Sequence, residues 1–363
     1  MLRKAKRRRD DGTCQRLPRP AERMPVPTMN RTPGPRARRD TWRQELADAI
    51  RDPAELCRVL GLDPTTAEMA GPAASGFPLL VPRGFVARMR PGDAEDPLLR
   101  QVLPLSAETA DAPGFVGDPL EERTALAAPG LIRKYRGRAL LLVNGSCAVH
   151  CRYCFRREFP YADSGATVAK HAEALAALAD DPSLHEVILS GGDPLLADDS
   201  RLTAMVADLD RIPHLRRLRI HTRLPVVLPA RVTDELVHIL AGSRLTKVVV
   251  VHANHPAELD ESVAAAVRRL AGIPALVLNQ AVLLAGVNDS LSVLQSLSER
   301  LVEIGALPYY LHLLDQVRGA AHFEVPTERA MALHAELRSS LPGYAVPRLT
   351  REVPGEPSKV WLA

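Results

Sequence analysis

From residue 139 onward, short apolar or β-branched runs alternate with longer stretches whose apolar positions recur every three to four residues. The short runs are ALLLV (139–143), EVILS (186–190), RLRIH (217–221), TKVVVVH (246–252), ALVLNQAV (275–282) and PYYLHLL (308–314). The stretches of helical period lie near 167–180, 199–211, 232–241, 259–271, 290–304 and 326–339. Six strand–helix units in succession predict an α/β fold with a parallel sheet and right-handed crossovers. An open doubly wound sheet and a partial barrel both fit that alternation. In either, chemistry is expected at the C-terminal ends of the strands.

Ahead of this rhythm, 41–102 reads as mostly helical. TWRQELADAI and DPAELCRVLGL carry apolar residues at helical spacing, and Asp52 is placed to cap a helix that begins at Pro53. Residues 103–137 are punctuated by Pro and Gly and read as connections. The expected organisation is a tail over 1–40, a helical and connecting region over 41–130, an α/β core over 131–345 and a C-terminal segment over 346–363.

Charge separates the tail from the body. Residues 1–40 hold 13 Lys and Arg against 4 Asp and Glu, so the rest of the chain is net acidic although the whole is +4. Basic, Pro-rich and poor in apolar residues, the tail is expected to be disordered. Nucleic acid is an unlikely partner for it, because aromatic residues are not interleaved with the basic ones. No run of about 18 apolar residues suggests a membrane span, and no secretory signal pattern opens the chain. A cytoplasmic protein with no membrane partner is expected.

Of the five cysteines, Cys147, Cys151 and Cys154 fall within eight residues, as C-x3-C-x2-C directly after the ALLLV run. That clustering points to metal rather than to disulfides. A structural zinc site needs a fourth ligand, for which His150 is a poor candidate. Three thiolates on a [4Fe–4S] cluster instead leave one iron open to a small chelating molecule. After the second run comes Ser190-Gly191-Gly192-Asp193, where paired glycines allow close backbone approach.

The cysteine spacing at the head of a βα repeat resembles the radical S-adenosylmethionine superfamily. CRYCFRR, HTRLPVVLPARVT (221–233), VHANHPAELD (251–260), NQAVLLAGVND (279–289) and YYLHLLDQVRGAAHFEVP (309–326) narrow the resemblance to the lysine 2,3-aminomutase family, from about Trp42 to Lys359. That likeness implies a radical S-adenosylmethionine partial (β/α)6 barrel, TIM-like, with the helical segment and the basic tail ahead of it. It also implies three cofactors: a [4Fe–4S] cluster, S-adenosylmethionine and pyridoxal 5′-phosphate.

Residue roles follow from the same resemblance. Lys359, in REVPGEPSK, takes the place of the lysine that holds pyridoxal phosphate as a Schiff base. In KYRGR, Tyr135 and Arg138 match contacts to that cofactor, whereas Lys134 stands where characterised relatives carry arginine. Gly191, Gly192 and Asp193 match the segment that contacts the methionine amino group, and His252 and Gln280 match positions near the adenosine. Arg156 matches a clamp on the substrate α-carboxylate, for which a planar fork is suited. Asp315 and Glu352 match carboxylates that bind the distal ammonium of lysine, and two acids there disfavour an acidic substrate.

The GEPSK ending, the CRYCFRR loop and the absence of a C-terminal extension bearing zinc-site cysteines resemble the branch that makes (R)-β-lysine for elongation factor P. A functional link to a lysyl-ligase acting on that factor is then implied, with a flavodoxin or ferredoxin as reductant. The alternatives are an enzyme making free β-lysine as a metabolite, or a zinc- or nucleic-acid-binding protein with a basic arm. The last leaves Arg156, Asp315 and Lys359 without an explanation.

Overall fold

The structure, a computed structural model, describes residues 41–164 and 170–363. The expected disorder of 1–40 and the first residues of the helical stretch at 167–180 lie outside the described residues. Three helices come first, α1 (Thr41–Ala47), α2 (Pro53–Leu60) and α3 (Pro64–Gly76). Asp52 caps α2 as the sequence predicts. Its carboxylate accepts from Ala54 N, Pro53 sits in the first turn, and Gly61 closes the helix at φ 66°.

The chain then forms β1 (Leu126–Ala128), β2 (Leu131–Ile132) and β3 (Arg138–Asn144), paired antiparallel in succession. From β3 the strand–helix alternation runs as the hydrophobic pattern predicts. It comprises α4 (His171–Ala179), β4 (Glu186–Gly191), α5 (Asp199–Asp210), β5 (Arg217–Thr222), α6 (Asp234–Gly242), β6 (Thr246–Val251), α7 (Glu261–Ala271), β7 (Ala275–Val282), α8 (Leu291–Glu303), β8 (Leu307–His312) and α9 (Thr327–Ser340). One boundary differs from the sequence reading. The apolar run at 308–314 outlasts its strand, because Leu313 and Leu314 are buried in a loop, Leu314 in a second small cluster with Val317 and Phe323. Asp315 therefore stands three residues past β8 rather than at its end.

Strand order follows sequence order, and every neighbour from β3 to β8 is parallel. A doubly wound sheet needs the order to reverse at a switch point. None does, so the sheet curls in one direction as a partial barrel. Two short strands extend it. β9 (Arg348–Arg351) adds parallel to β8, and β10 (Val360–Trp361) returns antiparallel along β9. Their lengths of four and two residues are too short to show a period in the sequence. They weave the C-terminal segment into the sheet and set Lys359 immediately before β10.

β4 is buried on both faces, as parallel strands covered by helices require. A continuous apolar core runs from Trp42 on α1 to Leu349 on β9, so the N-terminal helices pack onto the barrel without a separate core. Ile220, Val249, Val277, Leu311 and Leu349 point into this helix-covered layer. Register sets His221 beside Val250, Gln280 beside Tyr310 and His312 beside Thr350 on the opposite, inner face. Among the described residues, no helix is long and apolar enough to cross a membrane.

Candidate active site

Cys147, Cys151 and Cys154 are free thiols on the loop after β3. The N-terminal region holds this loop from outside the barrel. Arg152, fully buried, forks onto Glu108 at 2.8 and 2.6 Å, and Arg157 reaches the same carboxylate at 2.7 Å. His150 faces that region too. Its Nδ1 lies 2.8 Å from the Pro78 carbonyl oxygen, and its ring stacks on Phe77 with centroids 4.9 Å apart.

The thiols share one electrostatic field. Burial raises the Cys147 thiol well above its ordinary pKa, with Cys154, Asp193 and Cys151 adding to the rise. Burial pushes Cys154 up to about 11, and Cys151 adds to that shift. Arg223, from the HTR segment, donates from Nη1 to Cys151 Sγ at 2.6 Å, with Nη2 on Gln101 at 2.7 Å and Glu258 at 3.0 Å. Among the described residues no three His, Cys, Asp or Glu side chains converge closely enough to grip a single ion. Three thiols on one loop, with a guanidinium against one of them, suit a multi-iron cluster spanning all three.

The glycines after β4 serve the loop itself. A Cβ on Gly192 would lie 2.1 Å from Ser146 O, and one on Gly191 would lie 2.2 Å from Asn144 O. In their place, Gly192 N and Asp193 N donate to Asn144 O and Ser146 O at 2.8 Å each. Gly191 also sits at φ 124°, which side-chain-bearing residues rarely adopt. Asp193 is held within the fold by its own side chain. Its carboxylate accepts from Leu195 N, Thr222 Oγ1, Arg223 N and Leu224 N at 2.7–3.1 Å. Burial raises its pKa to about 6 against those bonds. Its side chain thus ties the end of β4 to the end of β5.

Across the barrel mouth five side chains of alternating charge are joined. Arg156 forks onto Glu122 at 2.6 and 2.9 Å. Lys134 bridges Glu122 at 3.1 Å and Glu352 at 2.7 Å, and Glu352 pairs in turn with Lys359. Burial alone would raise the pKa of Glu352, but Lys359 and Lys134 outweigh it and hold the carboxylate well below its usual range. Glu122 is lowered against the same burial by Arg156 and Lys134. Asp315, by contrast, is raised to about 7 by burial and by the Glu352 charge.

Two side chains at this site are already engaged by carboxylates. The fork of Arg156 is already taken by Glu122, and Nη1 donates to Ser190 Oγ at 3.0 Å and Gly191 O at 3.2 Å. This leaves one Nη2 hydrogen without a partner among the described residues. Lys134 is fixed between two carboxylates. Glu122 went unrecognised because it lies in an irregular stretch, GDPLEERT, where periodicity says nothing. Arg223 stood inside a matching segment, but only the fold brings it to Cys151.

The remaining site residues gather on the inner face. Arg138 lies over the Tyr135 ring at 4.5 Å, and Lys359 Nζ is 6.0 Å from the Tyr310 ring centroid. His252 and Gln280 meet at 3.0 Å, and burial, with Arg223 and Arg156, brings His252 down to about 3. His221 packs edge-on to His252 with centroids 5.9 Å apart.

Residues 141–290 match the radical SAM superfamily model. The L-lysine 2,3-aminomutase of Escherichia coli K12 is 49% identical over 325 residues, 89% of this chain and 95% of that one. The enzyme of the same name from Haemophilus influenzae is 46% identical over 89% of this chain and 95% of that one. That from Clostridium subterminale is 34% identical over 86% of this chain and 76% of that one. With its radical SAM core and likeness to these relatives over nearly the whole described length, the chain belongs to the L-lysine 2,3-aminomutase family of isomerases.

Proposed function

We propose that the chain converts L-lysine to (R)-β-lysine, with pyridoxal 5′-phosphate carried on Lys359, and that the product is destined for elongation factor P. One relationship carries the reading. The ion-pair chain that begins at Lys359 ends at Arg156, whose charge acts on Cys154 of the cluster loop. A lysine that can carry an aldehyde cofactor thus shares one barrel mouth with three metal-ligating thiols.

Cys147, Cys151 and Cys154 would hold the cluster and the backbone at Gly191 and Gly192 the S-adenosylmethionine, which together would supply a hydrogen-abstracting radical. Asp193 contributes by bracing that backbone, and His252 and Gln280 line the place of the adenosine. Pyridoxal phosphate supplies electron delocalisation beside the migrating nitrogen. Its phosphate falls to Arg138 and Tyr135. Lys134, engaged by Glu122 and Glu352, acts on it only through their charges.

Substrate recognition divides by charge. The remaining Nη2 hydrogen of Arg156 meets the α-carboxylate, and its hold on Glu122 fixes the direction in which that hydrogen points. Asp315 and Glu352 attract the distal ammonium, and an acidic side chain there would be repelled. A cytoplasmic setting with a flavodoxin or ferredoxin as reductant fits this chemistry. The CRYCFRR loop and the GEPSK ending support the elongation factor branch.

The test is anaerobic. The chain is reconstituted with iron, sulfide and pyridoxal phosphate, reduced, and given S-adenosylmethionine and L-lysine, with Lys359→Ala and Cys151→Ala as controls. (R)-β-lysine from the wild type alone is expected by chiral chromatography. Cleavage of S-adenosylmethionine without β-lysine would overturn the substrate assignment. Mass spectrometry of elongation factor P, incubated with its ligase and this product, tests the branch.

A further inference from the structure

His312 closes β8 on the inner face of the barrel and is 8% exposed. Its Nδ1 lies 3.3 Å from Thr350 Oγ1, and its Nε2 is buried with no partner. Thr350 is fully buried, and among the described residues its hydroxyl has no acceptor other than this nitrogen. A buried hydroxyl hydrogen goes to the acceptor within reach. Thr350 therefore donates to Nδ1, and the ring proton of the neutral imidazole sits on Nε2. Neutrality follows from the surroundings: burial, then the Lys359 charge, depresses the His312 pKa, and Glu352 opposes without prevailing. The charge of a protonated His252 would add to the depression.

The result is a buried N–H donor with no acceptor among the described residues, within the electrostatic reach of the Lys359 amine. A buried donor left unpaired costs about 1–3 kcal/mol, so its persistence calls for an acceptor brought by a ligand. Water would not need the tautomer fixed from behind by Thr350. Extending the proposed function, and resting on its assignment of pyridoxal phosphate to Lys359, we propose that His312 is a positioning residue whose Nε2–H donates to the ring oxygen of that cofactor beside its imine. The bond orients the ring in the barrel and competes with the imine proton for the same oxygen.

The experiment uses the full chain reconstituted with its cluster and loaded with pyridoxal phosphate, without S-adenosylmethionine. Imine absorption is followed against pH and against cofactor concentration, and borohydride reduction followed by peptide mass mapping locates the attachment. In His312→Phe the imine proton recovers the whole oxygen, so the absorption midpoint is expected to rise by about one pH unit and cofactor affinity to fall about tenfold. Thr350→Val, nearly isosteric, releases the tautomer and should shift the midpoint the same way by a smaller amount. His312→Gln, which keeps an N–H donor, should stay closer to the wild type than the phenylalanine variant. Thr350→Val decides the matter by itself if the phenylalanine variant does not fold. Midpoints at the wild-type value in every folded variant, with Lys359 modified normally, would overturn the role of His312 alone. A wild type that forms no reducible adduct at Lys359 would overturn the cofactor assignment with it.

Discussion

Lys134 Nζ stands 2.7 Å from Glu352 and 3.1 Å from Glu122, so one lysine neutralises the carboxylates flanking both ends of the proposed substrate site. Its side chain is 17% exposed, which weakens each pair relative to a fully buried one. Lys134→Met leaves Lys359 as the cation paired with Glu352 and Arg156 as the cation paired with Glu122. The expected cost is about 2 kcal/mol, below the full penalty of breaking a buried pair. Lys134→Arg, which can span the same two acids, should retain most of it. Urea unfolding of the three proteins under one set of conditions checks this. Equal midpoints for the methionine variant and the wild type would mean that the bridge contributes nothing.

Glu122 is the more exacting position, being 2% exposed and accepting from Nε and Nη2 of a buried arginine. Glu122→Gln keeps the shape but offers one acceptor oxygen where two are used, and turns an NH2 group toward a guanidinium. A loss of about 3–5 kcal/mol is expected, larger than that of Lys134→Met. The same variant frees a second N–H of Arg156, so in whatever fraction folds the KM for lysine should change more than kcat. A Glu122→Gln protein as stable as the wild type would show that Arg156 finds another partner.

The contrast between these two residues shows what the sequence could reveal. The six parallel strands were legible because each is a compact run of β-branched and apolar residues set between helical periods, and the cysteines because their spacing is local. Lys359 stood out only through family likeness, since no pattern distinguishes a catalytic lysine in PGEPSK from a surface one. Glu122, Arg223 and His312 escaped because their partners lie 34, 72 and 38 positions away, at Arg156, Cys151 and Thr350. Long-range polar pairs carry no period, and only the closed sheet assembles them. Asp193 shows the same limit. Its donors at 222–224 are invisible from its own segment, so the bracing role of its carboxylate could not be read there.

Gly192→Ala tests the reading that the paired glycines exist for the cluster loop. The added methyl would sit 2.1 Å from the Ser146 backbone oxygen, a contact that no side-chain rotation relieves. The loop must move, while the apolar core beneath it does not include this residue. The expected result is a folded barrel, near the wild type by circular dichroism, that retains well under half of its iron after reconstitution. Full iron incorporation would mean that the loop yields without disturbing its thiols.

Asp315 predicts a pH dependence with a definite sign. Burial and the Glu352 charge raise it to about 7, so near neutrality it is partly protonated and a poor partner for a cation. An incoming ammonium favours the ionised form, and the proton must leave as lysine binds. Affinity should therefore rise as pH rises through about 7, and fall up to about tenfold per unit below it. Glu352, held low by its two lysines, stays charged throughout and contributes no such slope. Equilibrium binding of L-lysine to cofactor-loaded enzyme without S-adenosylmethionine reads this directly, and Asp315→Asn should flatten the profile. A slope that survives in Asp315→Asn would assign the proton to another group.

Arg223 bears on the cluster itself, with its guanidinium 2.6 Å from Cys151 Sγ and anchored behind by Gln101 and Glu258. A fixed positive charge beside a ligand sulfur stabilises the more negative, reduced form of a cluster. Arg223→Met removes that charge and should lower the reduction midpoint by tens of millivolts, about 59 mV for each tenfold change in a one-electron equilibrium. Arg223→Lys keeps a charge on a shorter, unforked side chain and should fall between. Electron paramagnetic resonance at controlled potentials measures the shift independently of turnover. The methionine variant takes the cation from the buried Glu258 and leaves it with Gln101, Asn254 N and His255 N, so iron content and circular dichroism must accompany the titration. A midpoint unchanged in a fully loaded Arg223→Met protein would reduce the contact with Cys151 to packing.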